Sequence, residues 1–228
     1  IPDVGFVPVG NNPESFDGFF DGNNVNFIVD INRPNDDYMG IFHTLDENSV
    51  VKNFTVSGTI VGKSYVGAAA GRSYGSVENI VNNATIKSTV TTGANSVGGI
   101  LGVSGKSLKN SINYGTIITN ASYVGGLVGE NEGVIENSYN KGDIQGVAHV
   151  GGITGINRGN IYNAYNSATI NGTTLVGGIA GENANKINTV FNDGDITSLL
   201  DIAGGIAGYQ SGSKAEIRLA YHSKSVTS

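Results

Sequence analysis

Apolar residues return along this chain in short clusters at a nearly constant distance. Each cluster opens on Val-Gly-Gly or a close variant, with first glycines at Gly40, Gly67, Gly98, Gly125, Gly151, Gly177 and Gly204. The successive intervals are 27, 31, 27, 26, 26 and 27 residues. A fixed period in this range marks a stacked repeat architecture. Residues 123–146 read YVGGLVGENEGVIENSYNKGDIQG, 149–172 read HVGGITGINRGNIYNAYNSATING, and 175–198 read LVGGIAGENANKINTVFNDGDITS. The shared skeleton is VGG-I/L-x-G, a polar turn, I-x-N, an apolar residue, N, then D/T-I. No stretch sustains the i, i+3, i+4, i+7 stripe of a helix. Short β-type runs bounded by Gly and Asn predict strands and turns instead. The one long interval places an inserted loop near Thr89–Asn95.

The pattern resolves into columns. One apolar column follows the glycines: Ile41, Ala68 or Ala69, Ile100, Leu127, Ile153, Ile179 and Ile206. Another closes each coil: Ile60, Ile86, Ile117, Ile144, Ile170, Ile196 and Val226. A first polar column holds Asn53, Asn79, Asn110, Asn137, Asn163, Thr189 and Leu219; a second holds Val56, Asn82, Asn113, Asn140, Asn166, Asn192 and His222. Between them run Thr55, Val81, Ile112, Tyr139, Tyr165, Phe191 and Tyr221.

One coil is too short to bury its own apolar residues. Stacking puts equivalent positions about 4.8 Å apart and joins them into one core. The expected fold is therefore all-β, a right-handed parallel β-helix of about seven coils, the hand following from the rule for parallel crossovers. Seven coils span roughly 34 Å. For Val124 and Leu127 to face the same core, Gly125–Gly126 must bend the chain, and a positive φ at glycine would permit it. The Asn columns read as ladders that satisfy turn backbone and bond to the next coil. Residues 1–37 read as an N-terminal cap with entry strands, and 38–228 as one continuous repeat domain. Phe6, Phe16, Phe19, Phe20 and Phe27 are the aromatic material of that cap. The last coil, with Leu219 and His222 in the Asn positions, either caps the stack or continues it.

Composition supports this picture. Glycine supplies 35 of 228 residues and proline only four. Charged residues are 14%, against about 25% in ordinary domains, so Asn, Ser, Thr and Gly make the surface polar. Net charge is −6, from 13 basic and 19 acidic residues. No basic stripe exists to neutralise phosphates, which argues against nucleic acid and anionic membrane surfaces. No apolar run approaches the roughly 20 residues of a membrane helix. The absence of cysteine removes disulfides and thiolate chemistry. A chain starting at Ile1, without a signal peptide, reads as a processed segment.

The segments YVGGLVGENEG, HVGGITGINRG and LVGGIAGENAN resemble the GLUG repeat, a short motif of bacterial surface and secreted proteins. The resemblance covers about residues 38–228. The stretch FDGFFDGNNVNFIVDINRPNDDYMGIFHTL is similar to what commonly precedes such repeats. The weakest match is the coil at Val66, where Ala68–Ala69–Ala70 replaces the Gly-Leu-Val core. GLUG repeats occur in adhesins, filamentous haemagglutinin-like proteins and non-catalytic regions of secreted IgA-specific metallopeptidases. The resemblance implies an extracellular or cell-surface location and a scaffold or binding role. It implies no catalytic residues and no cofactor.

Chemistry is sparse. A metallopeptidase helix needs His-Glu-x-x-His; the three histidines, His43, His149 and His222, have no such pairing. Glycosidic cleavage needs two carboxylates about 5–9.5 Å apart. Glu130 and Glu182 share a column two coils apart, about 9.6 Å by the coil spacing, with Ile156 between them. Asp143 and Asp195 repeat that arrangement around Thr169. Solvated turn positions account for both pairs. Asp17, Asp21, Asp36 and Asp37 carry the oxygen chemistry calcium takes, although Asp-Gly pairs are usually turns. The column Thr59, Thr85, Thr116, Asp143, Thr169, Asp195 and Ser225 is too narrow and interrupted for ice binding. Tyr139, Tyr165 and Tyr221 would stack on sugars if exposed, but an aromatic column in a solenoid is expected in the core or a packed turn.

The expectation is a non-enzymatic segment of a bacterial surface or secreted protein, an adhesive platform or stiff stalk, with a host protein or glycan as partner. The alternatives are an accessory, substrate-positioning domain of a secreted metallopeptidase and a β-helical polysaccharide lyase or hydrolase.

Overall fold

The computed structural model describes residues 6–11, 14–90, 93 and 95–228. All regular elements among them are strands, and every pairing between strands is parallel. Three sheets wrap one core: a wide sheet of sixteen strands, a second of seven and a third of five. A full turn of chain contributes one rung to each sheet, although the first turns reach the five-stranded sheet only as isolated bridges at Met39 and Val66. The coil at residues 148–172 shows the unit, with Ala148–Gly151 in the five-stranded sheet, Thr154–Asn157 in the seven-stranded sheet, and Asn160–Asn166 with Ile170–Gly172 in the wide one. This is a parallel β-solenoid, as the periodicity predicts.

The wide sheet has eight rungs rather than seven. The additional one is the strand Phe19–Asn32, which pairs in parallel with Val50–Gly62 and extends the stack below the first Val-Gly-Gly-like turn. The sequence columns become the register. Ile60, Ile86, Ile117, Ile144, Ile170, Ile196 and Val226 are successive Cα partners, and all but Val226 are buried. Removing each isoleucine from water contributes roughly 2–3 kcal/mol. In the post-glycine column Ala69, rather than Ala68, is the member, because its neighbour Ala70 partners both Phe42 and Leu101.

The paired glycines do not act through positive φ. Among the described residues the only glycines in that region are Gly10, Gly58, Gly93 and Gly212. Gly125 and Gly126 are required because a Cβ has nowhere to go. At Gly125 it would sit 2.0 Å from the Val128 carbonyl oxygen, and at Gly126 2.1 Å from that of Gly152. Close packing of one rung's turn on the next, which sequence reading cannot see, sets the requirement. Left-handed backbone falls instead on the first Asn column: Asn53, Asn79, Asn110, Asn137 and Asn163 all have φ between 49° and 60°. Asn tolerates that region better than other side-chain-bearing residues, which explains its recurrence there. Thr189 and Leu219 adopt the same conformation without that advantage, at φ 56° and 47°.

Phenylalanines close the N-terminal end. Phe6, Phe16, Phe20 and Phe27 pack against the buried core. Phe20 lies edge-on to both Phe42 and Phe54, with centroids 5.3 and 5.9 Å away. Phe19 departs from the expected cap: it is 65% exposed, with Lys52 over its ring. Of the inserted loop, residues 91, 92 and 94 lie outside the described residues.

Candidate functional site

Most polar side chains in register serve the scaffold. The second Asn column is fully buried, and the Nδ2 of Asn82, Asn113, Asn140 and Asn166 each donates to the Oδ1 one rung on, over 2.7–2.8 Å. Each amide also closes its own turn. Asn140 Nδ2 donates to the Gly142 carbonyl at 3.1 Å, and the Gly142 N–H returns a bond to Oδ1 at 3.3 Å. His222 ends this ladder, its Nδ1 2.9 Å from Asn192 Nδ2. A further ladder, Asn131–Asn157–Asn183, runs up the seven-stranded sheet at 2.8 Å per step and is also buried. Its signal is present in the sequence as the Asn after Gly-x in GEN, GIN and GEN, but those residues read there only as a polar turn.

The acidic columns separate. Glu130 and Glu182 do lie on successive partners through Ile156. Glu130 is engaged by Arg158 and lies 3.4 Å from Ser96 Oγ. Glu182 accepts from Ser211 Oγ and meets His149 Nε2 at 3.1 Å. The basic groups are therefore nearby, and each engages a single carboxylate. Burial pushes the His149 pKa down, against the opposing pull of Glu182, and Tyr123 packs edge-on to its ring at 5.2 Å. Asp143 and Asp195 likewise hold the next rung: their Oδ1 atoms accept from the backbone N–H of Thr169 and Ser225 at 2.9 and 3.1 Å.

The four N-terminal aspartates are dispersed. Asp21 accepts from the Asn23 N–H and from Asn53 Nδ2, which with Lys52 hold its pKa down. Asp36 pairs with Arg33 at 2.6 Å. Among the described residues no three His, Asp or Glu side chains gather into a metal-holding group. His43 stands apart from His149, its pKa lowered by burial and by the charge of Arg72, with Asp37 opposing. Arg72 lies 5.1 and 5.2 Å from the rings of Tyr38 and Tyr65, which stack on each other.

The aromatic column does not enter the core. Tyr139 and Tyr221 are exposed, and Tyr165 and Phe191 are half-buried on the outside of the wide sheet. Tyr165, Phe191 and Tyr221 stack face to face along the axis, with centroids 5.4 and 5.2 Å apart. The stacking covers the facing sides of the three rings, and Tyr139, Tyr165, Phe191 and Leu219 line a shallow groove of about 270 Å³ on this side.

One of the concave surfaces lies at a corner. Where the wide sheet turns toward the five-stranded one, a groove of about 430 Å³ crosses several rungs, lined among others by Asn120, Gln145, Val147, Asn171 and Leu199. The turns here differ from rung to rung in sequence (Ala121–Ser122, Val147–Ala148, Thr173–Thr174, Leu199–Leu200) and in length, between strands that keep their register.

The fold is a parallel β-solenoid whose rungs are joined by buried amide ladders. Residues 120–145 match the family model of the GLUG motif, the motif that the recurring segments resemble. Over 81 residues it is 35% identical to a Gly-rich membrane protein of Evansella cellulosilytica, covering 33% of this chain and 9% of that protein. Over 106 residues it is 31% identical to halomucin of Haloquadratum walsbyi, covering 45% of this chain and 1% of that protein. The chain thus spans less than a tenth of either relative. No solved structure matches it. The motif and the fold fit a non-catalytic segment.

Proposed function

We propose that this chain is a rigid, non-enzymatic segment of a cell-surface or secreted protein that presents a binding corner. The observation that carries the reading is the division of labour among polar residues. Those in the Asn columns are turned inward or bonded to the next rung, while the groove corner is lined by residues that change from rung to rung, among them Asn120, Gln145 and Leu199. Variable loops on a rigid frame are where binding specificity resides. The relatives' names, a membrane protein and a halomucin, support a surface location. No helix of the described residues is long and apolar enough to cross a membrane.

The test is a binding screen of the purified chain against glycan and extracellular-matrix protein arrays, repeated with Gln145→Ala, Asn171→Ala and Leu199→Ala. Adhesive function predicts a ligand whose retention these variants abolish without loss of fold. Silence across both arrays refutes adhesion and leaves the stalk. Release of cleaved glycan would overturn the non-enzymatic reading.

A further inference from the structure

The corner groove uses its amides differently from the columns around it. Amides that meet in register bond to one another whether buried, as Asn140 to Asn166, or exposed, as Asn79 to Asn53 and Asn163 to Asn137. Gln145 and Asn171 are likewise Cα partners on successive rungs. Their exposed side chains bond neither to each other nor to any described residue, and Asn120 in the same groove is equally unpaired. Three carboxamides thus keep their donors and acceptors available. The groove draws on the rungs of Ile117, Ile144, Ile170 and Ile196. Three rung spacings of about 4.8 Å make it roughly 14 Å long, and its volume of about 430 Å³ is that of a ligand site. Although the chain carries 13 basic and 19 acidic residues, none of the described residues lining the groove is charged. Val147 and Leu199 give it apolar surface, at 37% and 71% exposure.

We propose that this groove takes a neutral oligosaccharide laid along the solenoid axis. Asn120, Gln145 and Asn171 bond its hydroxyls, and Val147 and Leu199 pack on a C–H face of its rings. The proposal rests on the reading of the corner as a binding surface and names the ligand class of that surface. A sugar hydroxyl both donates and accepts, and a carboxamide offers both partners without a charge. An acidic or sulfated glycan fits worse, because its charge would leave water for a lining that holds no opposite charge. A peptide adding as a strand needs free backbone groups at a sheet edge. At this corner the backbone is already engaged between rungs: the Leu199 N–H donates to the Gly172 carbonyl, and those of Thr173 and Thr174 donate to Val147. Recognition is left to the side chains, and the elongated, rung-crossing shape suits a chain of sugar units rather than one.

The test is an array of neutral oligosaccharides beside sulfated and uronate-containing ones, probed with the full chain and followed by titration calorimetry of the hits. The expected result is retention of a neutral oligosaccharide whose affinity is unchanged when salt is raised, since no charge is there to screen. Gln145→Ala and Asn171→Ala should each weaken it roughly fivefold or more, the loss of about one hydrogen bond. Asn163→Gly, which removes an exposed amide outside the groove, should leave it unchanged. Should an alanine variant misfold, Gln145→Glu and Asn171→Asp keep the side-chain shape, exchange donors for charge and carry the same test. Binding of acidic glycans alone, or of a matrix protein alone, that these variants abolish overturns the neutral-sugar assignment and leaves the binding corner standing. A neutral sugar bound equally well by the groove variants lies elsewhere and overturns the proposal. Silence toward every glycan and matrix protein overturns both readings.

Discussion

Removing one amide from the buried ladder should cost far more than removing one from the exposed column three residues away. Asn140 is fully buried and takes part in four hydrogen bonds: one from Asn113, one to Asn166, and the reciprocal pair with Gly142. Asn140→Ala severs all four and leaves the Gly142 N–H and carbonyl unpaired inside the turn. At about 1 kcal/mol net per bond, the loss is about 4 kcal/mol. Asn163 makes one exposed cross-rung bond, to Asn137 at 3.1 Å, in the left-handed conformation. Asn163→Gly keeps that conformation accessible and should cost about 1 kcal/mol or less. Urea unfolding followed by far-UV circular dichroism gives the two differences, provided the m-values agree. Because solenoid rungs can open locally, hydrogen exchange at the Gly142 N–H is the second readout, and it should accelerate in Asn140→Ala alone. Equal costs for the two substitutions would refute the claim that the inner ladder holds the rungs together.

Three further outcomes follow from the geometry. Gly126→Ala drives a Cβ into the Gly152 carbonyl and should destabilise by about 1–3 kcal/mol or more, whereas Gly18→Ala, whose nearest neighbour is a Phe16 ring carbon at 3.4 Å, should be tolerated; thermal melts of the pair decide it. Burial holds the His149 pKa below its ordinary value of about 6.5, so the unfolded chain takes up the proton more readily. Stability is then full above about pH 6.5 and falls as pH drops toward the folded-state value, and His149→Gln should flatten that part of the stability–pH curve. Phe191→Ala removes the middle ring of the outer stack and should cost roughly 1–2 kcal/mol, with loss of the near-UV signal of Tyr165 and Tyr221.

The sequence by itself determined the period, the class of fold and the identity of the core columns. Those follow from stacking alone: a residue type repeated at a fixed interval meets itself one rung away, and Ile60 to Ile196 or Asn82 to Asn192 need no other information. The tertiary structure decided everything that depends on a second point of contact. That Gly125 is glycine for want of space, and not for backbone angle, depends on the Val128 carbonyl folding back over it. Whether Tyr165 faces in or out depends on how the left-handed Asn163 turns the strand between two columns of similar appearance. The meeting of His149 with Glu182, thirty-three residues apart in sequence and one rung offset, joins two different columns, and a one-dimensional repeat specifies only how each column meets itself.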